Sequence, residues 1–213
     1  MQNFMKSFSV ETYKDAKKDF NAEDESLLLS LLRENNTQGY ILDVGCGDGV
    51  LTGRVEEAFP SSLITGIDNS SEQIALALSK GFQISFQCAD ISTYNPKDKF
   101  DSIFSFYAFP HIPKSGLNEA FRSVRNILKK GGKFYLFTNI CLFDTSLATK
   151  EDQEACDIML WDSWSSQINL TSIEEIRRTF SQHNFVELSN RRLQTGARIK
   201  NYGEMISWVF VLT

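Results

Sequence analysis

Three aspartates stand where a short apolar run gives way to a turn: Asp43 behind Tyr40-Ile41-Leu42, Asp68 behind Leu63-Ile64-Thr65-Gly66-Ile67, and Asp90 behind Phe86-Gln87-Cys88-Ala89. The first opens the pattern Asp43-Val44-Gly45-Cys46-Gly47-Asp48-Gly49, with glycines at alternate positions. Glycine permits positive φ and lets a ligand sit against bare backbone. A carboxylate beside such a turn suits a ligand with positive charge and works against a pyrophosphate. Two phosphate-binding patterns fail. Counting from Gly45, the sixth position of the dinucleotide fingerprint is Val50, neither Gly nor Ala, and no Gly-Lys-Ser/Thr closes the turn. Asp68, roughly twenty residues further on, stands where ribose hydroxyls find their acceptor. Its two oxygens can each take one hydroxyl, although the position also reads as a plain helix cap. Asp90 can accept the exocyclic amine of adenine while neighbouring backbone amides meet the ring nitrogens. By itself it also reads as a surface turn.

The elements that must position these groups are legible from periodicity. Ile41 to Val44 is a continuous apolar run, the mark of a buried parallel strand. Val50, Leu51, Arg54, Val55 and Ala58 follow at helical spacing, with Pro60 as the stop. Further strands are expected at 63–67, 82–87, 100–106, 133–139, 184–188 and 205–212. Helices are expected at 22–33, 72–80, from Leu117 to the Lys129-Lys130-Gly131-Gly132 joint, and from a Thr171-Ser172-Ile173-Glu174 capping box to about Ser181. Asn21 or Asp24 is the expected cap of the first helix, and Arg191–Asn201 reads as a basic loop. Three successive strand–helix units thus carry an acidic residue each to the carboxyl edge of a parallel sheet, where open α/β folds bind ligands.

At 213 residues with net charge −5, the chain is expected to be one soluble domain, and its acidity counts against general nucleic-acid binding. No apolar run is long enough to span a membrane and no signal peptide opens the sequence. Cys46, Cys88, Cys141 and Cys156 show no metal-ligand or CxxC spacing, so they are expected to be reduced thiols in a cytoplasmic protein. With only His111 and His183 present, no metal site is expected.

The series from the glycine turn through Asp68, Asp90, Asp101, the Gly131-Gly132 joint and the two closing strands resembles the class I S-adenosylmethionine (SAM)-dependent methyltransferases of the small-molecule type, over residues 38–213. The resemblance implies an α/β three-layer Rossmann-like sandwich around a seven-stranded, mostly parallel sheet of order 3-2-1-4-5-7-6, the seventh strand antiparallel. It implies SAM as cofactor, S-adenosylhomocysteine as product, and contacts at Asp43, Gly45, Cys46, Gly47, Gly49, Asp68, Asn69, Ala89, Asp90 and Ile91. In many members the position of Phe106 holds a small polar residue, often Asn, that meets the methionine part of SAM. Here only the backbone carbonyl of Phe106 remains for that contact. The Asn/Asp-Pro-Pro-Tyr/Phe motif of DNA amino-methylating members is absent, since Phe106-Tyr107-Ala108-Phe109-Pro110 stands in its place.

Methyl transfer from a sulfonium is an in-line displacement in which the cofactor supplies the reactivity and the protein the positioning. An acceptor oxygen or nitrogen with a proton to lose benefits from a base. His111, just past the fourth strand, is the candidate, and also reads as a packing histidine. His183 reads as structural, a cation at a helix end. Tyr13 in a helical lid within 1–37, together with Tyr107 and with Trp161 and Trp164 in an insertion at 140–170, is expected to face the acceptor. Plain core packing is the other reading of these aromatics. The partner expected is a small-molecule acceptor, with no nucleic acid and no membrane. Monomer and dimer both stay open. A SAM-binding module without catalysis, a nicotinamide oxidoreductase and a methyltransferase acting on RNA or protein are the competing readings.

Overall fold

The computed structural model describes residues 22–141, 171–199 and 203–213. Tyr13, Trp161, Trp164, Lys200, residues 1–21 of the expected lid and residues 142–170 of the expected insertion lie outside them. The elements run α1 (Ala22–Glu34), β1 (Tyr40–Val44), α2 (Val50–Ala58), β2 (Leu63–Asp68), α3 (Ser71–Ser79), β3 (Ser85–Cys88), β4 (Phe100–Phe106), a 3-10 turn (Phe109–His111), α4 (Lys114–Ile127), β5 (Leu128–Cys141), α5 (Ile173–Gln182), β6 (Glu187–Ile199) and β7 (Gly203–Leu212). The seven strands form one sheet of order β3-β2-β1-β4-β5-β7-β6, as expected. β1 to β5 pair in parallel, and β7 runs antiparallel between β5 and β6.

Strand side chains alternate between two apolar layers. In β5, Phe134 and Leu136 face a core shared with α4 and α5, while Tyr135 and Phe137 face one shared with α1, α2 and α3. Phe121 of α4 is the hub of the first layer, with ring centroids of Phe109, Phe180 and Phe134 at 4.9, 5.7 and 6.4 Å. Truncating such a fully buried ring costs about 3–5 kcal/mol.

Several features differ from expectation. α4 stops at Ile127 because Leu128 joins the sheet opposite Phe100, and the ladder resumes at Lys133 opposite Ser102 after an irregularity at Gly131, φ +77°. Lys129 and Lys130 therefore sit in β5, not at a helix end. β3 begins at Ser85, not Phe82, whose ring fills the space that a side chain at Gly53 of α2 would need. The capping box of α5 is Ser172 with Glu175, one residue later than expected: Ser172 Oγ accepts from Glu175 N (3.2 Å) and Glu175 Oε2 accepts from Ser172 N (2.8 Å). The basic stretch from Arg191 belongs to β6, where Arg191 pairs with Val209 and Arg192 with Trp208. A charged edge strand resists pairing with other chains, so its polarity masquerades as a loop.

Candidate functional site at the carboxyl edge of the sheet

β1, β2 and β3 are parallel neighbours, so Val44, Asp68 and Cys88 end at one edge. The turn beyond β1 folds over the end of β2: Gly45 N and Cys46 N both donate to Ile67 O, at 2.8 and 3.0 Å. Ala89 N donates to Asp68 O at 2.9 Å, which binds the third strand's exit to the second. Gly45, Gly47 and Gly49 all have positive φ (+78°, +53° and +76°), which explains their spacing. At two of them the missing side chain serves packing and not a ligand. A Cβ on Gly45 would lie 2.2 Å from Ala108 Cβ, and one on Gly49 would lie 2.7 Å from Phe86 Cζ.

Asp68 is held by two backbone donors, Gly47 N on Oδ2 and Ser70 N on Oδ1, each at 2.9 Å. Each oxygen keeps a second lone pair for a further donor. Asp43 is 2% exposed, and its Oδ2 accepts from Thr52 Oγ1 at 2.7 Å. Burial pushes its pKa up to about 7 against the Thr52 hydrogen bond, and the charge of Asp68 adds to the rise. Burial raises the Asp68 pKa too, opposed by its two backbone donors. Burial and the negative charges of Asp43 and Asp68 hold the Cys46 thiol protonated. Asp43, Cys46 and Asp68 therefore lie near enough to feel one another's charge. Among the described residues neither Asp43 nor Asp68 has a cationic partner. Asp48, in the same turn, does have one: Lys80 Nζ reaches its Oδ2 at 2.6 Å and its carbonyl at 2.7 Å, pinning the turn to the end of α3.

Asp90 is half-buried at the same edge, with Oδ1 accepting from Ser92 N and Ser92 Oγ, both at 2.8 Å. Asn69 O accepts from Cys88 Sγ at 3.7 Å. Ile91 is buried in the core of the α4 and α5 layer, with partly buried Ala89 against that core. Phe106 closes β4, half-buried, its ring 5.0 Å from Phe137. Tyr107 is buried and its hydroxyl donates to Asp24 Oδ2 at 2.7 Å, so it faces α1. Asp24 is accordingly a buried acceptor within the first turn of α1 and not its cap.

His111 ends the 3-10 turn, half-buried, its N–H donating to Ala108 O at 3.0 Å. His183 lies elsewhere, with Nε2 2.6 Å from Asn118 Oδ1 and its pKa lowered by burial and by Arg122. It stands at the C-cap of α5, where burial and Arg122 disfavour the expected cation. It lines a cleft of about 590 Å³ between α4 and α5 that contains none of the rim aspartates. Thr52, Ala108 and the Lys80–Asp48 pair carry no motif, and sequence reasoning passed over them. Among the described residues no cluster of His, Cys, Asp or Glu is arranged to hold a metal, and no helix is long and apolar enough to cross a membrane.

Comparison with known proteins agrees with this geometry. Residues 41–132 match the methyltransferase domain family. A malonyl-[acyl-carrier protein] O-methyltransferase of Ilyobacter polytropus is 32% identical over 120 residues, 53% of this chain and 44% of that protein. A trans-aconitate 2-methyltransferase of Streptomyces avermitilis is 35% identical over 79 residues, 34% of this chain and 29% of that protein. The chain thus spans less than half the length of these relatives. Among solved structures, a SAM-dependent methyltransferase of Clostridium acetobutylicum superposes with TM-score 0.69 at 18% identity, covering 92% of this chain and 93% of that one. The methyltransferase-domain match over residues 41–132 and the shared fold support a class I SAM-dependent methyltransferase with SAM as its cofactor. The rim suits that group: it joins glycine backbone to carboxylates that lack a cation.

Proposed function

We propose that this protein transfers the methyl group of SAM to an oxygen or nitrogen of a small-molecule acceptor. The carrying observation is the pair Asp43 and Asp68, two neighbouring carboxylates without a cationic partner among the described residues. Burying unpaired charge is costly, and a ligand bearing an ammonium and a sulfonium offsets that cost. When bound, SAM supplies the electrophilic methyl. Asp68, already oriented by Gly47 and Ser70, accepts the ribose hydroxyls on its remaining lone pairs. Asp90, with Oδ1 held by Ser92, would accept the adenine amine. The backbones of Asn69, Ala89 and Ile91 border the base, and the Phe106 carbonyl borders the methionine end. His111 takes the acceptor's proton where there is one to lose. The names of the two relatives, which specify malonyl-[acyl-carrier protein] and trans-aconitate, support an acceptor smaller than a nucleic acid. We place the chain in the cytoplasm as a single domain, in keeping with its one sheet and the free thiols of Cys46 and Cys88.

Calorimetry with S-adenosylhomocysteine tests this. Binding is expected, and Asp68→Ala should weaken it at least tenfold, about 1.4 kcal/mol. Absence of heat and of any thermal shift at millimolar ligand would remove the proposal. A second reading, cofactor binding without catalysis, is favoured by Phe106 in place of a polar side chain. Acceptor-dependent release of S-adenosylhomocysteine above the enzyme-free rate would exclude it.

A further inference from the structure

Tyr107, the first residue beyond β4, has φ +58°, a left-handed conformation that a bulky side chain rarely adopts. Such strain persists only where the surroundings over-determine it. Two contacts do so. Its N–H donates to Phe137 O at 3.0 Å, and its hydroxyl donates to Asp24 Oδ2 at 2.7 Å. Asp24 comes from the first turn of α1, 83 positions away in sequence. Both partners are 6% exposed. A carboxylate in that setting is costly to bury, so the bond's place in the fold calls for a reason.

The reason lies in what Tyr107 carries on either side. Phe106 packs edge-on against the Tyr107 ring, centroids 4.9 Å apart. Ala108 occupies the space left by the missing side chain of Gly45 in the glycine turn. Fixing Tyr107 therefore fixes residues 106–108 against the turn that holds the cofactor.

We infer that Asp24 is a positioning residue for the methionine end of the cofactor, acting through the Tyr107 hydroxyl on the backbone of residues 106–108. The inference rests on the methyltransferase reading for the identity of the ligand. The bond itself ties α1 to the rim.

Calorimetry with S-adenosylhomocysteine and with adenosine, which lacks the methionine end, tests it on folded protein. Asp24→Ala should lose about fivefold or more in affinity for S-adenosylhomocysteine, the effect of one buried hydrogen bond, with adenosine affinity within about twofold of wild type. Asp24→Asn keeps an acceptor oxygen and should restore most of the loss. Should Asp24→Ala not fold, the double variant Asp24→Asn with Tyr107→Phe removes the bond without stranding a charge, and should show the same selective loss. Equal losses for the two ligands, or unchanged affinities with only a lower melting temperature, would overturn the inference. Failure of the wild type to bind S-adenosylhomocysteine would instead overturn the methyltransferase reading, and this inference with it.

Discussion

The two edges of the sheet both carry aspartates, and they treat them in opposite ways. At the amino edge Asp101 Oδ2 receives Lys129 Nζ at 2.7 Å and Tyr40 N at 2.8 Å. Burial works to raise its pKa, but Lys129 and the Tyr40 amide outweigh it and hold the carboxyl below its usual range. Lys129 also lies over the Tyr40 ring, 5.0 Å from the centroid. At the carboxyl edge Asp43 and Asp68 have only hydroxyl and amide donors, and both titrate high. An aspartate supplied with its own cation is part of the scaffold. At the carboxyl edge, an aspartate without one leaves its charge open to a cation from elsewhere.

Glycine substitutions probe both edges with the largest expected effect. Gly45→Ala puts a Cβ against Ala108 at φ +78°, and Gly39→Ala puts one 2.4 Å from Asp101 Oδ2 at φ +82°. Each should cost about 2–4 kcal/mol in denaturant unfolding. Only Gly45→Ala should also weaken S-adenosylhomocysteine binding, and adding Ala108→Gly should recover part of that loss. Equal damage to binding by both would erase the distinction between the edges.

Charge comes next. The Asp43 pKa of about 7 exceeds its ordinary value of 3.8, so folding favours its protonated form. Its contribution to the stability of the ligand-free protein is fully present below about pH 4 and is lost as pH rises through about 7. Asp43→Asn should therefore raise the melting temperature at pH 8 and leave it little changed at pH 4, with an effect of a few kcal/mol at most. Asp101, with its pKa lowered, has the opposite sign: its contribution is present above its unfolded pKa and is lost on acidification below it. The smallest effect is expected for Lys129→Met, which breaks a partly exposed pair worth about 0–1 kcal/mol and should leave cofactor affinity unchanged.

Most of the carboxyl edge was legible in the sequence because strand ends announce themselves. Apolar runs that stop at Asp43 and Asp68, followed by glycine or a serine cap, leave few alternatives. The strand order came through the resemblance, and the structure agrees with it. The far half of the sheet was less legible. β6 presents arginines along an edge, and the irregularity at Gly131 is fixed by pairing with β4, which no local pattern encodes. The glycine turn was read for its backbone conformation but not for what fills it. Ala108 and Phe86 arrive from distant segments, as Asp24 does to meet Tyr107.

The central claim is that Asp43, buried without a cationic partner among the described residues, waits for a cation. Calorimetry of S-adenosylhomocysteine binding between pH 5.5 and 8, in buffers of different ionisation enthalpy, tests it most directly. On the proposal that the ionised form of Asp43 meets the ligand's ammonium, affinity should rise with pH through about 7 and level off above it, with a proton released near neutrality and neither effect in Asp43→Asn. An affinity that is flat or falls over that range, with no proton released, would contradict the account.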